Sequence, residues 1–255
     1  MDGPTMSRLA KPLISVVVLV LLWQFGLSYT GIPSYVLPLP SAIAVRLDQT
    51  FAVQVYNLGA TASTTMLGLA MALVSGVLLA LLVIFLPTVK SVLLPFLAAF
   101  NSIPKIAIAP LFIIWFGLGM ESKILLAFLL ALFPIFVNAL TGLGEIETDV
   151  FDLARLAGGT PLRIFVKVRL MNALPYIVDG LKVAFPLALV GSIVGEFIGG
   201  NRGIGHLILS GQFDLDTPLV FSALLLITLF TTVGIGVIGL IEHRFLGWRP
   251  SRQRR

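Results

Sequence analysis

Residues 149–175 read DVFDLARLAGGTPLRIFVKVRLMNALP, and this stretch decides how the rest of the chain is read. It sets Asp149, Asp152, Arg155, Arg163, Lys167 and Arg169 between two long apolar runs. A water-facing segment therefore interrupts a chain otherwise built for lipid. Its local order is helix, stop, helix. Asp149 can cap a short helix, with Asp152 in the first turn near the positive end of the helix dipole. Phe151, Leu153, Ala154, Leu156 and Ala157 continue it. Gly158 and Gly159 end it, because glycine accepts the left-handed conformation that a helix stop needs. Thr160 caps a second short helix with Pro161 at its first position, where the missing N–H costs nothing. Arg163 and Lys167, four apart, share a face of that helix. The segment fits two roles at this level: basic contact with anionic lipid, or docking of a partner through Leu153 and Leu156.

Outward from this stretch, apolar runs dominate. Of 255 residues, 58% are hydrophobic and 11% charged, against about 25% charged in soluble domains. The mean hydropathy is +1.04. The apolar runs lie at about 13–27, 58–86, 92–116, 123–143, 173–198 and 218–241. Six apolar runs predict an all-α integral membrane protein of about six transmembrane helices. The whole chain, 1–255, is read as one transmembrane domain. Residues 1–12 form a polar N-terminal segment, 149–172 the polar segment above, and 242–255 a basic tail. No small-residue cleavage site follows the first run, so it reads as an uncleaved span. The connector at 28–58 is broken by Pro33, Pro38 and Pro40, with Ser41 placed to cap a short amphipathic helix. Small residues in the second run, Gly59 to Ala80, suit close helix packing in lipid. Residues 199–217, GGNRGIGHLILSGQFDLDT, read as a Gly-rich loop.

Charge sets the orientation. With the N-terminus inside, Arg8, Lys11, Lys90, Arg155, Arg163, Lys167, Arg169, Arg244, Arg249, Arg252, Arg254 and Arg255 are inside. Arg46, Lys123 and Arg202 are outside. The resulting ratio, 12 to 3, is a strong positive-inside bias. Both termini and the 149–172 segment are then cytoplasmic. Trp23, Trp115 and Trp248 fall near span ends, as interfacial anchors do.

Several function classes fall away. The absence of cysteine removes disulfides and thiolate metal sites. The chain carries no G-x-x-x-x-G-K-[ST] loop, so it does not hydrolyse ATP by the usual means. GGNRGIG has no preceding strand, which argues against a dinucleotide site. His206 and His243 lie at opposite ends, so no metal site is read. Basic residues do not line one soluble face, so no nucleic acid is expected. Intramembrane charges remain as candidates. Lys105, beside the helix-breaking Pro104, is either a pathway residue or a lysine paired or snorkelling to an interface. Glu196, near the outer end of the fifth run, is either part of an outer gate, against Arg202 or a partner, or a carboxylate tied to a helix end. Asp179 and Lys182, three apart, are expected to pair.

DLARLAGGT followed by VKVRLMNALPYIVDGLK resembles the EAA motif of binding-protein-dependent ABC importer permeases. IPSYVLPLPSAI, IPKIAIAPLFIIWFGLGMESK and GEFIGGNRGIG are similar to the nitrate, sulfonate, taurine and pyrimidine-precursor branch. The resemblance covers nearly the whole chain and implies a MetI-like type I permease fold. It implies that Asp152, Leu153, Ala154, Arg155, Gly158, Gly159 and Thr160 form the segment that couples to an ATPase. Leu153 stands where the family usually has alanine, and Met171 where a proline usually follows leucine. The resemblance also implies a chain that is not itself an enzyme and binds no cofactor, with ATP and magnesium on the partner ATPase. Its partners would be two ATP-binding subunits, an extracytoplasmic substrate-binding protein and a second permease copy, in a bacterial cytoplasmic membrane. A self-contained secondary transporter or channel is the alternative, and would be expected to carry inverted repeats.

Overall fold

The computed structural model describes residues 5–145 and 148–247. The basic tail beyond 247 and the side chains of Arg8 and Lys11 lie outside the described residues. In order, α1 is Thr5–Thr30, α2 Pro40–Phe85, α3 Pro87–Ser102, α4 Ala109–Phe116 and α5 Met120–Gly144. The polar segment forms α6 (Thr148–Leu156) and α7 (Pro161–Ile164). A π-turn at Phe165–Arg169 joins α7 to α8 (Leu170–Gly199), and α9 (Ile204–Phe213) and α10 (Thr217–Phe245) complete the chain. A 3-10 turn, Lys105–Ile108, joins α3 to α4. No strand occurs among the described residues.

Three helices make the core. Gly68 of α2 faces Ala127 of α5, and Gly76 faces Ile135 and Phe136, so α2 and α5 run parallel. Gly142 of α5 faces Ala173 of α8, and Gly191 of α8 faces Leu126, so α8 runs antiparallel to α5. These approaches depend on missing side chains: a Cβ on Gly68 would lie 2.5 Å from that of Ala127. Lipid tails are as apolar as leucine, so such close backbone packing is what holds the helices together. α10 packs Gly234 against Phe185 and pairs Glu242 with Lys182, and so runs antiparallel to α8. The C-terminal ends of α2, α5 and α10 therefore gather with α6 at one end of the bundle. α9 and the N-terminal ends of α5 and α10 lie at the other.

Four helical stretches are long and apolar enough to cross a membrane: Pro40–Phe85, Met120–Gly144, Pro161–Gly199 and Thr217–Phe245. α3 and the Lys105–Phe116 stretch together are apolar enough for a fifth, but they meet at 81°, as in a broken crossing or a re-entrant loop. The sixth expected span corresponds to α1, whose apolar part is the shorter Ile14–Thr30.

Three local expectations change. The connector helix does not stop before the second span: α2 runs 46 residues without interruption. Pro40 starts it at N1, and no proline lies between Pro40 and Pro87 to end it. At 1.5 Å per residue it extends about 69 Å, more than twice the roughly 30 Å hydrocarbon core. The second helix of the polar segment is likewise not separate. The π-turn carries it into α8, so Met171 sits inside a helix and not in a turn. Finally, most of the Gly-rich 199–217 loop is helical, as α9.

Candidate functional site

The polar segment ends α6 with a two-bond cap. The Gly159 N–H donates to the Ala154 carbonyl and the Gly158 N–H to the Arg155 carbonyl, both at 3.0 Å. Gly158 has φ +77°, so this is a Schellman stop with glycine in the left-handed position. Thr160 then caps α7, its hydroxyl accepting from the Arg163 N–H at 3.4 Å. Asp149 falls in the first turn of α6, which begins at Thr148, and so it sits inside the helix. The guanidiniums of Arg155 and Arg169 lie over the Phe151 ring at 5.8 and 5.7 Å, which ties α6 to the start of α8. Ile164 is buried behind the turn, while Asp152, Leu153, Leu156 and Leu162 are exposed. Ala154 is half-buried against this same turn. Leu156 is 86% exposed at the tip of α6, which leaves an apolar, outward-facing knob on a rigid turn.

Glu196 lies at the other end of the bundle and is 1% exposed. Its two carboxylate oxygens lie 2.8 and 3.0 Å from the Thr61 hydroxyl of α2. It also accepts from the Gly205 N–H at 2.8 Å. The Thr61 hydroxyl accepts in turn from the Ile204 N–H at 2.8 Å. The Asn57 amide oxygen accepts from the Gly203 N–H at 2.9 Å. The first N–H groups of α9, which a free helix would leave unpaired, are thus capped by side chains of α2 and α8. This is the physical reason that a Gly-rich stretch holds a helix. Gly203 has φ +116°, and a Cβ there would fall 2.1 Å from the Glu196 carboxyl carbon. Thr64 and Ser192 bond to each other one turn further in, and Gln54 donates to the Ser222 hydroxyl at 2.8 Å.

Lys105 and Pro104 sit at the break between α3 and α4. The Lys105 ammonium bonds to the Asn101 side chain. The space beside it, between Leu97, Leu132 and Phe136, is about 10 Å³, room for one water. Lys182 forms an ion pair with Glu242 of α10, a contact between helices that sequence spacing does not announce. Three sequence candidates therefore occupy three places: the α6–α7 turn, the α3–α4 break, and the buried carboxylate. Sequence reasoning missed Asn57 and Thr61, which hold Glu196 and α9, and Thr64, which bonds to Ser192 of α8. The available signal was a polar stripe, Gln54, Asn57, Thr61, Thr64, at helical spacing in an apolar run.

A bent helix pair, close-packed apolar core helices and a polar helix-turn-helix at one end define a multi-helix membrane protein. Residues 72–247 match the family model "Binding-protein-dependent transport system inner membrane component". The chain belongs to that family. It is 35% identical over 239 residues to a probable ABC transporter permease protein of Haemophilus influenzae, covering 94% of this chain and 98% of that protein. It is 33% identical to the formylaminopyrimidine transport permease protein ThiX of Halalkalibacterium halodurans, covering 95% and 97%. In fold it is similar to a chain of the inward-facing MetNI methionine ABC transporter. There the TM-score is 0.58 and identity 22%, over 76% of this chain and 93% of that one. The chain is a multi-pass inner-membrane permease subunit of an ABC importer. It is the non-catalytic subunit: ATP hydrolysis resides in a separate one. That removes the self-contained secondary transporter as a reading.

Proposed function

We propose that two copies of this chain form the path of an importer for a small polar or anionic solute. The α6 end faces the cytoplasm. Two ATP-binding subunits, carrying ATP and magnesium, dock there on Asp152–Thr160, and an extracytoplasmic binding protein delivers solute at the α9 end. The orientation is supported by charge: Lys90, Arg155, Arg163, Lys167, Arg169 and Arg244 belong to the α6 end, against Arg46, Lys123 and Arg202 at the other. The observation that carries the reading is the rigid α6–α7 turn with Leu153, Leu156 and Leu162 exposed on it. An apolar knob held by two caps suits a partner protein better than headgroups. α7 continues through the π-turn into α8, so movement of the docked subunit passes directly into the core. Relatives named for formylaminopyrimidine, aliphatic sulfonates and taurine point to a pyrimidine-precursor or a sulfonate-type solute.

The test is Leu156→Asp. The side chain is exposed, so the chain inserts and accumulates as wild type. Co-purification of the ATP-binding subunit through a tag on this chain is expected to fall at least about tenfold, the loss of one interface anchor. Unchanged recovery of that subunit would rule out α6 as the docking element.

A further inference from the structure

A second feature opens beside the Glu196 cap. A cavity of about 410 Å³ opens between α2, the start of α5 and the α8–α9 link. That size falls in the range of small-molecule sites. Ser63, Thr64, Lys123, Glu196, Asn201 and Arg202 provide its polar lining. Lys123 is only 6% exposed. Among the described residues its ammonium has one hydrogen-bond partner, the Arg202 carbonyl at 3.5 Å, and no carboxylate within 4 Å. Its stem is fixed, because Gly195 leaves the room it occupies: a Cβ there would come 3.0 Å from the Lys123 Cγ. A buried ammonium that keeps most of its donors free is expensive unless something anionic visits it.

The surroundings agree. Glu196 is engaged by Thr61 and Gly205, so its charge acts on Lys123 through space and takes up none of the ammonium's hydrogen-bond donors. Gly119 and Met120 also line the cavity, so the N-terminus of the 25-residue α5 opens onto it, and no side chain caps that end. Helix N-termini favour negative charge. The exposed Glu121 folds back toward Gly119 and competes for this end of α5: its Oε2 lies 2.2 Å from where a Gly119 Cβ would be.

We infer that this cavity binds an oxyanion group, sulfonate, carboxylate or phosphate, between the Lys123 ammonium and the Arg202 guanidinium. The Asn201 amide supplies a neutral partner. The group belongs either to a solute entering at the α9 end or to the headgroup of an anionic lipid. The inference deepens the importer reading by placing an anion site at the solute-entry end. Its test uses neither ATP nor uptake, so it stands or falls independently of docking at α6.

The full-length chain, fluorescently tagged, is purified with its co-purifying subunits and placed in phosphatidylcholine nanodiscs. It is heated across a methanesulfonate series and the surviving protein read by gel filtration; uncharged dimethyl sulfone is the control. A ligand of the folded state raises the midpoint. Methanesulfonate is expected to raise it and the sulfone not. Lys123→Gln should increase the half-saturating concentration at least about tenfold, the usual loss for a charge-assisted hydrogen bond. Arg202→Gln should increase it less, and Glu121→Gln should lower it. These two alter exposed residues and carry the test if Lys123→Gln does not fold. Repeating the series in phosphatidylglycerol separates the sources. An unchanged response assigns the site to a solute. A wild-type midpoint already raised, with little added by methanesulfonate, assigns it to a lipid headgroup. Equal stabilisation by the sulfone, or variants that all respond as wild type, would overturn the inference.

Discussion

Replacing Gly158 separates the shape of the α6–α7 turn from its bulk. The residue sits at φ +77°, and a Cβ added to it meets nothing within 4 Å. The penalty of substitution is therefore backbone alone. Holding an ordinary L-residue in that conformation costs roughly 1–2 kcal/mol. A β-branched valine lies at or above the upper figure, whereas asparagine visits this region routinely. Two kcal/mol on the stop is about a 30-fold loss of correctly shaped turn. Proteoliposomes containing the permease, its ATP-binding subunits and the loaded binding protein read the effect as solute taken up per ATP hydrolysed. Gly158→Val is expected to lower uptake about 10- to 30-fold at equal membrane content. Gly158→Asn should stay within about threefold, since its penalty is a few tenths of a kcal/mol. Gly159 is the steric counterpart: a Cβ there would lie 2.6 Å from the Ala154 carbonyl and 3.0 Å from Ile164 Cγ1. Wild-type uptake by Gly158→Val would refute the assignment of coupling to this turn. Equal losses for valine and asparagine would show that bulk, and not the left-handed stop, matters.

Two further substitutions probe the far end and the core. Gly203→Ala combines φ +116° with a Cβ 2.1 Å from the Glu196 carboxyl carbon, so it should detach the start of α9; gel filtration of tagged protein should show a clear loss of folded yield, while Gly236→Ala, with open space around it, should show none. Gly68→Ala forces α2 from α5 and is expected to lower stability by about 1–3 kcal/mol, the usual cost of overpacking; Gly59→Ala, with nothing within 4 Å, should be neutral or slightly stabilising by thermal melt.

What could be read from sequence follows the range of the interactions that decide each element. The α6 stop was legible because Gly158, Gly159, Thr160 and Pro161 settle it among themselves. The apolar runs located the crossings for the same reason. Their ends were less legible. Nothing local told that α2 would carry its connector helix as a rigid extension, or that the chain after Pro161 would absorb one π-turn and continue. α9 is the clearest case. GGNRGIG looks like a loop, and by local preference it is one. Its helix exists because Glu196 and Thr61 accept the N–H groups of Gly205 and Ile204, and Thr61 is 143 residues from Ile204. Lys182 follows the same rule, reaching Glu242 on α10, 60 residues away. The Lys123 cavity needed both effects, a long-range cap that occupies Glu196 and a glycine on another helix that makes room for the stem.

These long-range contacts bear on how one end of the bundle senses the other. The stretch Pro161–Gly199 is 39 residues, about 58 Å of helix, and carries the α7 cap at one end and Glu196 near the other. α2 also reaches both ends, with Asn57 and Thr61 at the α9 cap and Val83 packed beside Leu143 and Ala173 at the α6 end. α9 is therefore held by two helices whose far ends lie beside the α6–α7 turn. If α8 slides against α2 by two residues' rise, about 3 Å, a 2.8 Å bond from Thr61 to Glu196 leaves hydrogen-bond range. α9 must then follow one helix or lose its cap. The π-turn, Pro175 and Pro186 are the places where α8 can yield instead, since each interrupts the regular i to i−4 ladder. The carboxylate suits this position better than a second hydroxyl would. Its two oxygens accept from both partners at once, so the cap holds together as a unit or opens as one.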